Sequence, residues 1–164
     1  MNDPSRPAVL LAAGAAATSP GCLGDDGSDD GLSFSALDTA GSDGGTVPKR
    51  PPGEPALLDF FATWCPPCRP QMDELARVHE ARPSFHLVSI SWEDDPDAIR
   101  AFWRDHDGQW PVVRDPNLAA AAETHGVDRL PTKVLLDDDG DERWRHVGLA
   151  TAEQILEEIA AVSG

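Results

Sequence analysis

Leu57-Leu58-Asp59-Phe60-Phe61-Ala62-Thr63-Trp64-Cys65-Pro66-Pro67-Cys68 is the stretch on which the reading of this 164-residue chain turns. Its first half is a short apolar run that stops at a turn, the pattern of a buried strand. Pro66 and Pro67 have fixed φ and no backbone N–H, which suits a first helical turn, where amide groups lack partners anyway. From Arg69 to Ala81, Met72, Leu75, Ala76 and Val78 recur near helical spacing. Strand, Cys-X-X-Cys and helix together are the context a dithiol needs. Amides at the helix start stabilise a thiolate on the first sulfur, and the second lies one turn away to close the ring. A zinc site would want a second Cys or His pair, and His79, His86, His106, His125 and His146 are scattered. Covalent haem attachment would want His after Cys68, where Arg69 stands. A redox dithiol is the leading reading; a metal site or a structural disulfide are the alternatives.

Composition narrows the class further. With 29 acidic and 13 basic residues the formal net charge is −16, and Lys49 and Lys133 are the two lysines. Such a balance argues against a general nucleic-acid binder, which needs a basic face. An Asp-rich, Lys-poor surface is similar to that of proteins from salt-loving microbes, where salt screens self-repulsion.

Upstream, residues 1–21 read as a signal peptide: one Arg, then the apolar Pro7–Ala17 stretch, then small residues leading into Cys22. The pattern resembles a prokaryotic lipoprotein signal, with Cys22 as the lipidated residue. Residues 22–47 read as an acidic Gly/Asp/Ser-rich tether that buries too little apolar surface to order itself. Within it, Leu32 to Leu37 alternates apolar and polar, as an edge strand would. Residues 48–164 form the expected domain, introduced by a Pro-rich linker over 48–55.

In the domain, Phe85–Ser91 is expected as a second buried strand. Asp95-Pro96 opens a helix to about His106, and Trp110–Arg114 is a short extended piece. Asp115-Pro116 opens another helix to Thr124, with Gly126 as its stop. Lys133–Leu136 and Arg143–Val147 flank the Asp137–Glu142 turn as a hairpin, and the Thr151/Gln154 capping box starts a last helix. Asp137–Glu142 lacks the spacing of an EF-hand, so a solvated turn is expected there. The fold class is therefore α/β: a central mixed sheet flanked by helices on both faces.

Asp59-Phe60-Phe61-Ala62-Thr63-Trp64-Cys65-Pro66-Pro67-Cys68-Arg69 and Leu130-Pro131-Thr132 resemble the thioredoxin superfamily, and within it the membrane-tethered TlpA/ResA-like thiol–disulfide oxidoreductases. Pro111–Pro116 and the Asp138-Asp139-Gly140 turn match as well, and the likeness covers roughly residues 46–163. It implies a thioredoxin-like fold with an extra helix inserted after the second core strand. By the same resemblance Cys65 is the attacking thiolate, Cys68 the resolving thiol, and Pro131 a cis proline beside the disulfide. The backbone of Leu130 would pair with an extended client segment, with Trp64 and Pro66 as contact surface. Asp59 takes the place of a buried acid that relays a proton to or from Cys68. Many tethered relatives lack that acid and carry Glu three residues after the second cysteine, where Gln71 stands here.

The implied activity is reduction of disulfides in extracytoplasmic proteins, including those awaiting a haem or other cofactor. It needs no metal and no cofactor beyond the Cys65–Cys68 pair. Its partners would be disulfide-containing clients and a membrane thiol donor, and the chain is expected as a monomer, held to the outer membrane face through Cys22 or otherwise secreted. The same dithiol could instead serve as a disulfide-forming oxidant, because relative potentials set direction. The other class is a redox-inactive module that binds a peptide or metal around Pro131.

Overall fold

The computed structural model describes residues 32–115 and 125–164. Four short strands come first: β1 (Ser33–Ser35), β2 (Asp38–Thr39), β3 (Ser42–Asp43) and β4 (Thr46–Pro48). The domain proper runs β5 (Ala56–Phe61), α1 (Cys68–Ala81), β6 (His86–Ser91), α2 (Pro96–Asp105), β7 (Val112–Arg114), β8 (Thr132–Leu136), β9 (Glu142–Val147) and α3 (Ala152–Val162). The main sheet has the order β7-β6-β5-β8-β9. β5, β6 and β7 are mutually parallel, whereas β8 and β9 are antiparallel to their neighbours.

β5 is buried along its whole length, as its unbroken apolar run demands of a central strand covered on both faces. Leu57 and Phe61 face the α1 side, where Met72, Leu75 and Val78 of α1, Ile99 and Trp103 of α2, and Ile155 and Ile159 of α3 complete one core. Leu58 and Phe60 face the other way with Val88, Ile90, Val113, Val134 and Leu136. The three described helices thus pack on one face. The opposite face is closed, among the described residues, by Phe34 of β1 and by Val127, with Leu32, Ala36, Val47 and Trp92 beside them. The helix expected over 116–124 lies outside the described residues, as do Cys22 and the proposed signal segment.

Two expectations need correction. Residues 32–47, read from composition as the end of a disordered tether, are built into hairpins: β1 pairs with β4, and β2 with β3. Averaged composition hides the reason. Leu32, Phe34 and Ala36 alternate and lay their side chains on the sheet, while Leu37 enters the α1-side core. The glycines make the turns rather than disorder: Gly41 has φ +72, and a Cβ there would lie 2.0 Å from the backbone of Gln109. The edge strand expected over 32–37 is accordingly Ser33–Ser35. Among the described residues, the segment bonds to the backbone of the main sheet through the Ala36–Val113 bridge and the Leu37 N–H to Val112 carbonyl bond of 2.9 Å.

The second correction concerns the prolines. α1 begins at Cys68, so Pro66 and Pro67 form the turn ahead of it; Pro67, at φ −71 and ψ −11, already has helical angles. The remaining local signals act as expected. Asp95 accepts from the Asp97 and Ala98 amides at the start of α2, Thr151 and Gln154 close a capping box on α3, and Asp137 Oδ1 accepts from the Asp139 and Asp141 amides in the β8–β9 turn.

Candidate active site

Register brings three loops to one end of the sheet. Phe60 is paired with Thr132, and Thr132 with Val147. The end of β5, which runs into Ala62–Cys68, therefore lies level with Pro131 at the start of β8 and with the turn after β9. The Gly148 amide donates to the Pro131 carbonyl at 2.8 Å and ties two of those loops together. The Leu130–Pro131 peptide is cis.

Cys65 and Cys68 form a disulfide with their Cα atoms 5.4 Å apart. Both cysteines are buried, but the residues around them are not: Trp64 is 63 % exposed, and Pro66 and Pro67 are exposed too. Cys68 is the first residue of α1, and its amide donates to the Cys65 carbonyl at 3.1 Å. A thiolate formed at Cys65 would thus stand at the amino end of a 14-residue helix with no acidic residue in its first turn. The other exposed large hydrophobic residues among those described are Val147 and Leu149, on either side of Gly148. Each of the three lies beside the disulfide loop or beside Pro131. An apolar rim around a buried disulfide is a surface that accepts a polypeptide.

Beneath the disulfide a polar row crosses the sheet. Asp59 on β5 is paired with Ser89 on β6 and with Lys133 on β8, so all three side chains enter the α1-side core. Ser89 Oγ donates to Asp59 Oδ2 at 2.8 Å and accepts the Trp110 indole N–H at 2.9 Å. Asp59 Oδ1 makes no hydrogen bond among the described residues. Lys133 Nζ donates to Gln71 Oε1 at 2.7 Å and to the Gly148 carbonyl. Gln71, one turn into α1 from Cys68, also accepts the Ala150 amide at 2.9 Å and donates to the Ala150 carbonyl at 3.1 Å. Burial pushes the Asp59 carboxyl up to about 6, with the Lys133 charge and the Ser89 hydroxyl opposing it. Burial also brings the Lys133 ammonium down to about 8, opposed by the Asp59 charge.

The cysteine loop is held from its other side by Glu93. Its carboxylate accepts from the Thr63 amide at 2.6 Å and from the Thr63 hydroxyl at 2.7 Å. Charge-assisted pairs of this kind are worth more than neutral bonds. Glu93→Ala is expected to cost about 1–3 kcal/mol of stability, read by urea unfolding of the oxidised chain. The Glu93→Gln variant should recover part of that loss, because its amide oxygen still accepts one of the two bonds.

The residues singled out from the sequence therefore converge. Asp59, Trp64, Cys65, Pro66, Cys68, Leu130 and Pro131 all belong to this sheet end or to the core directly below it. Sequence reasoning missed Lys133, Ser89 and Glu93. Lys133 carried a signal: a lysine directly ahead of the apolar run Val134-Leu135-Leu136, in a chain with one other lysine, calls for a buried partner. Ser89 and Glu93 carried none, since only register and loop path bring them to Asp59 and Thr63.

The Redoxin family profile matches residues 29–161. Sporulation thiol-disulfide oxidoreductase A of Bacillus subtilis is 28% identical over 117 residues, 68% of this chain and 69% of that protein. Thiol-disulfide oxidoreductase ResA of Bacillus thuringiensis is 29% identical over 114 residues, 68% of this chain and 65% of that protein. The chain thus spans about two thirds of the length of these relatives. Among solved structures, the exposed lipoprotein thioredoxin Etrx1 of Streptococcus pneumoniae superposes with a TM-score of 0.62 at 25% identity, over 79% of this chain and 99% of that one.

Proposed function

Because the chain belongs to the Redoxin family, we propose that its Cys65–Cys68 pair exchanges disulfides with client proteins, making it a thiol–disulfide oxidoreductase. The observation that carries this reading is the Cys65–Cys68 disulfide at the amino end of α1, at the same sheet end as cis Pro131 and ringed by exposed Trp64, Val147 and Leu149. In the reduced protein, the Cys65 thiolate attacks one sulfur of a client disulfide. A mixed disulfide forms and the first client sulfur leaves as a thiol. Cys68 loses its proton and attacks Cys65 Sγ, the mixed disulfide breaks, and the second client sulfur leaves. Two electrons pass to the client, and the two enzyme thiol protons end on the two client thiols. Asp59, buried below α1 with one oxygen unbonded among the described residues, is the base proposed for the Cys68 proton. The Leu130 backbone and the apolar rim hold the client as an added strand. No cofactor beyond the dithiol is needed.

The direction proposed is reduction, supplied by a membrane thiol donor, with clients outside the cytoplasm, among them proteins awaiting a cofactor. The lipoprotein-like run into Cys22 supports a lipid anchor at the outer membrane face, and Etrx1, a structural relative, is by its name an exposed lipoprotein; the chain is proposed to act as a monomer. No helix among the described residues is long and apolar enough to cross a membrane. The acidic surface suits a salt-rich medium.

The test is an equilibrium titration of the Cys65–Cys68 pair in dithiol buffers at high salt, counting trapped thiols by mass. A potential near −270 mV, roughly that of thioredoxin, fits a reductase fed with electrons; one near roughly −120 mV makes the protein an oxidant. Absence of a reversible two-electron step would leave a binding module.

A further inference from the structure

Lys133 is fully buried, and nothing in the exchange chemistry itself demands a lysine on β8. Burying an ammonium is costly unless its donors and its charge are both answered. Here they are answered by groups of the active site. Gln71, three residues after Cys68, and the Gly148 carbonyl, whose own amide holds Pro131, take two donors. Asp59, its partner across the strand pair, supplies the opposite charge. A single side chain thus links the helix of the resolving cysteine, the loop beside the cis proline and the buried acid.

We propose that Lys133 is the positioning residue of the exchange reaction: its ammonium keeps Asp59 in the carboxylate form that can take the Cys68 proton, and ties the 148–150 loop to the same charge. The inference rests on the exchange activity proposed above.

The other groups on the packed elements are accounted for. From β9, His146 is paired with Lys133, and its Nε2 bonds the Leu149 carbonyl at 2.9 Å. From α1, Glu74 accepts from the Ala152 amide and from Arg77, His79 packs against Trp110 with ring centroids 5.9 Å apart, and Cys65 and Cys68 titrate only when reduced. From β6, Ser89 carries no charge, and the buried residues of α3 are Ala152, Ile155 and Ile159. Asp59 is therefore the carboxylate placed to feel a change at Lys133.

The sign follows from the charges. Lys133 favours the ionised acid, so Lys133→Met lets the Asp59 carboxyl rise further above about 6. Where Asp59 acts as base, the acid limb of kcat/KM moves up by about one pH unit, and the variant runs about tenfold slower than wild type on that limb. The two converge above about pH 8, where Asp59 is ionised in both.

The experiment measures kcat/KM against pH for reduction of a disulfide-bonded protein by the wild type, Lys133→Met, Asp59→Asn and the double variant. The expected result is a shifted limb in Lys133→Met and no further shift when it is added to Asp59→Asn. A uniform loss at all pH values, or a shift that persists in the Asp59→Asn background, would overturn the proposal. So that a variant that fails to fold does not leave the question open, the wild-type chain is titrated by NMR. The Asp59 carboxyl carbon should show a second inflection at the pH where the Lys133 Nζ signal titrates. Its absence sinks the proposal with no reference to activity. An inactive wild type with that inflection present would instead count against the exchange reading alone.

Discussion

Cys68→Ser is expected to turn the protein into a trap: turnover falls at least about a thousandfold, while a covalent adduct with the client accumulates. The asymmetry comes from where the two sulfurs sit. Cys65 lies in the loop ahead of α1, at the amino end of the helix, whereas Cys68 is the first residue of the helix itself. The first attack needs only Cys65, so it survives the change. The second needs a thiolate at position 68, and a serine hydroxyl cannot displace the client sulfur. Cys65→Ser should remove the adduct as well as turnover. Both outcomes are read by non-reducing gels and intact mass after acid quenching. Adducts through Cys68 in the Cys65→Ser variant would reverse the assignment of roles, and none in either variant would favour the binding module.

Much of this geometry was legible because it is local. The buried strand, the Cys-X-X-Cys turn, the Asp95 cap and the Thr151/Gln154 box all depend on residues within a few positions of one another. The proline before β8 was legible through resemblance alone, since no spacing shows that it meets the disulfide loop. Register decides the rest. Asp59 could be read as buried from its apolar strand, but its partners lie 30 and 74 residues away and become visible only once β6 and β8 flank β5. The ordering of residues 32–47 failed to show for a different reason. A window rich in Gly, Asp and Ser averages as disordered, yet Phe34 and Leu37 seat it while Gly41, Gly44 and Gly45 make the turns that follow.

The same polar row makes the second large prediction, in which stability and catalysis pull in opposite directions. Asp59 has a folded-state value of about 6 against 3.8 for the free side chain, so between about pH 4 and pH 6 the folded protein holds a proton the unfolded chain has released. Stability therefore falls as pH rises through that window, by about 3 kcal/mol for a shift of this size, and the loss is complete above about pH 6. Lys133 works in the opposite sense at higher pH. Its folded value of about 8 lies below 10.5, so stability rises between those limits as the unfolded chain keeps a proton the fold has shed. Asp59→Asn should abolish the lower step in urea unfolding of the oxidised chain, and the rise should begin at lower pH because Lys133 has lost the charge that held its proton. If Asp59 is the base for Cys68, the same variant releases its clients about a hundredfold more slowly at neutral pH. An unchanged pH–stability curve would mean that Asp59 ionises in the fold at the same pH as in the unfolded chain. A flattened curve with full activity would leave the acid a structural part of the sheet and move proton transfer elsewhere. Both changes together would mean that an ionised pair, disfavoured by burial at neutral pH, is kept for the proton it moves.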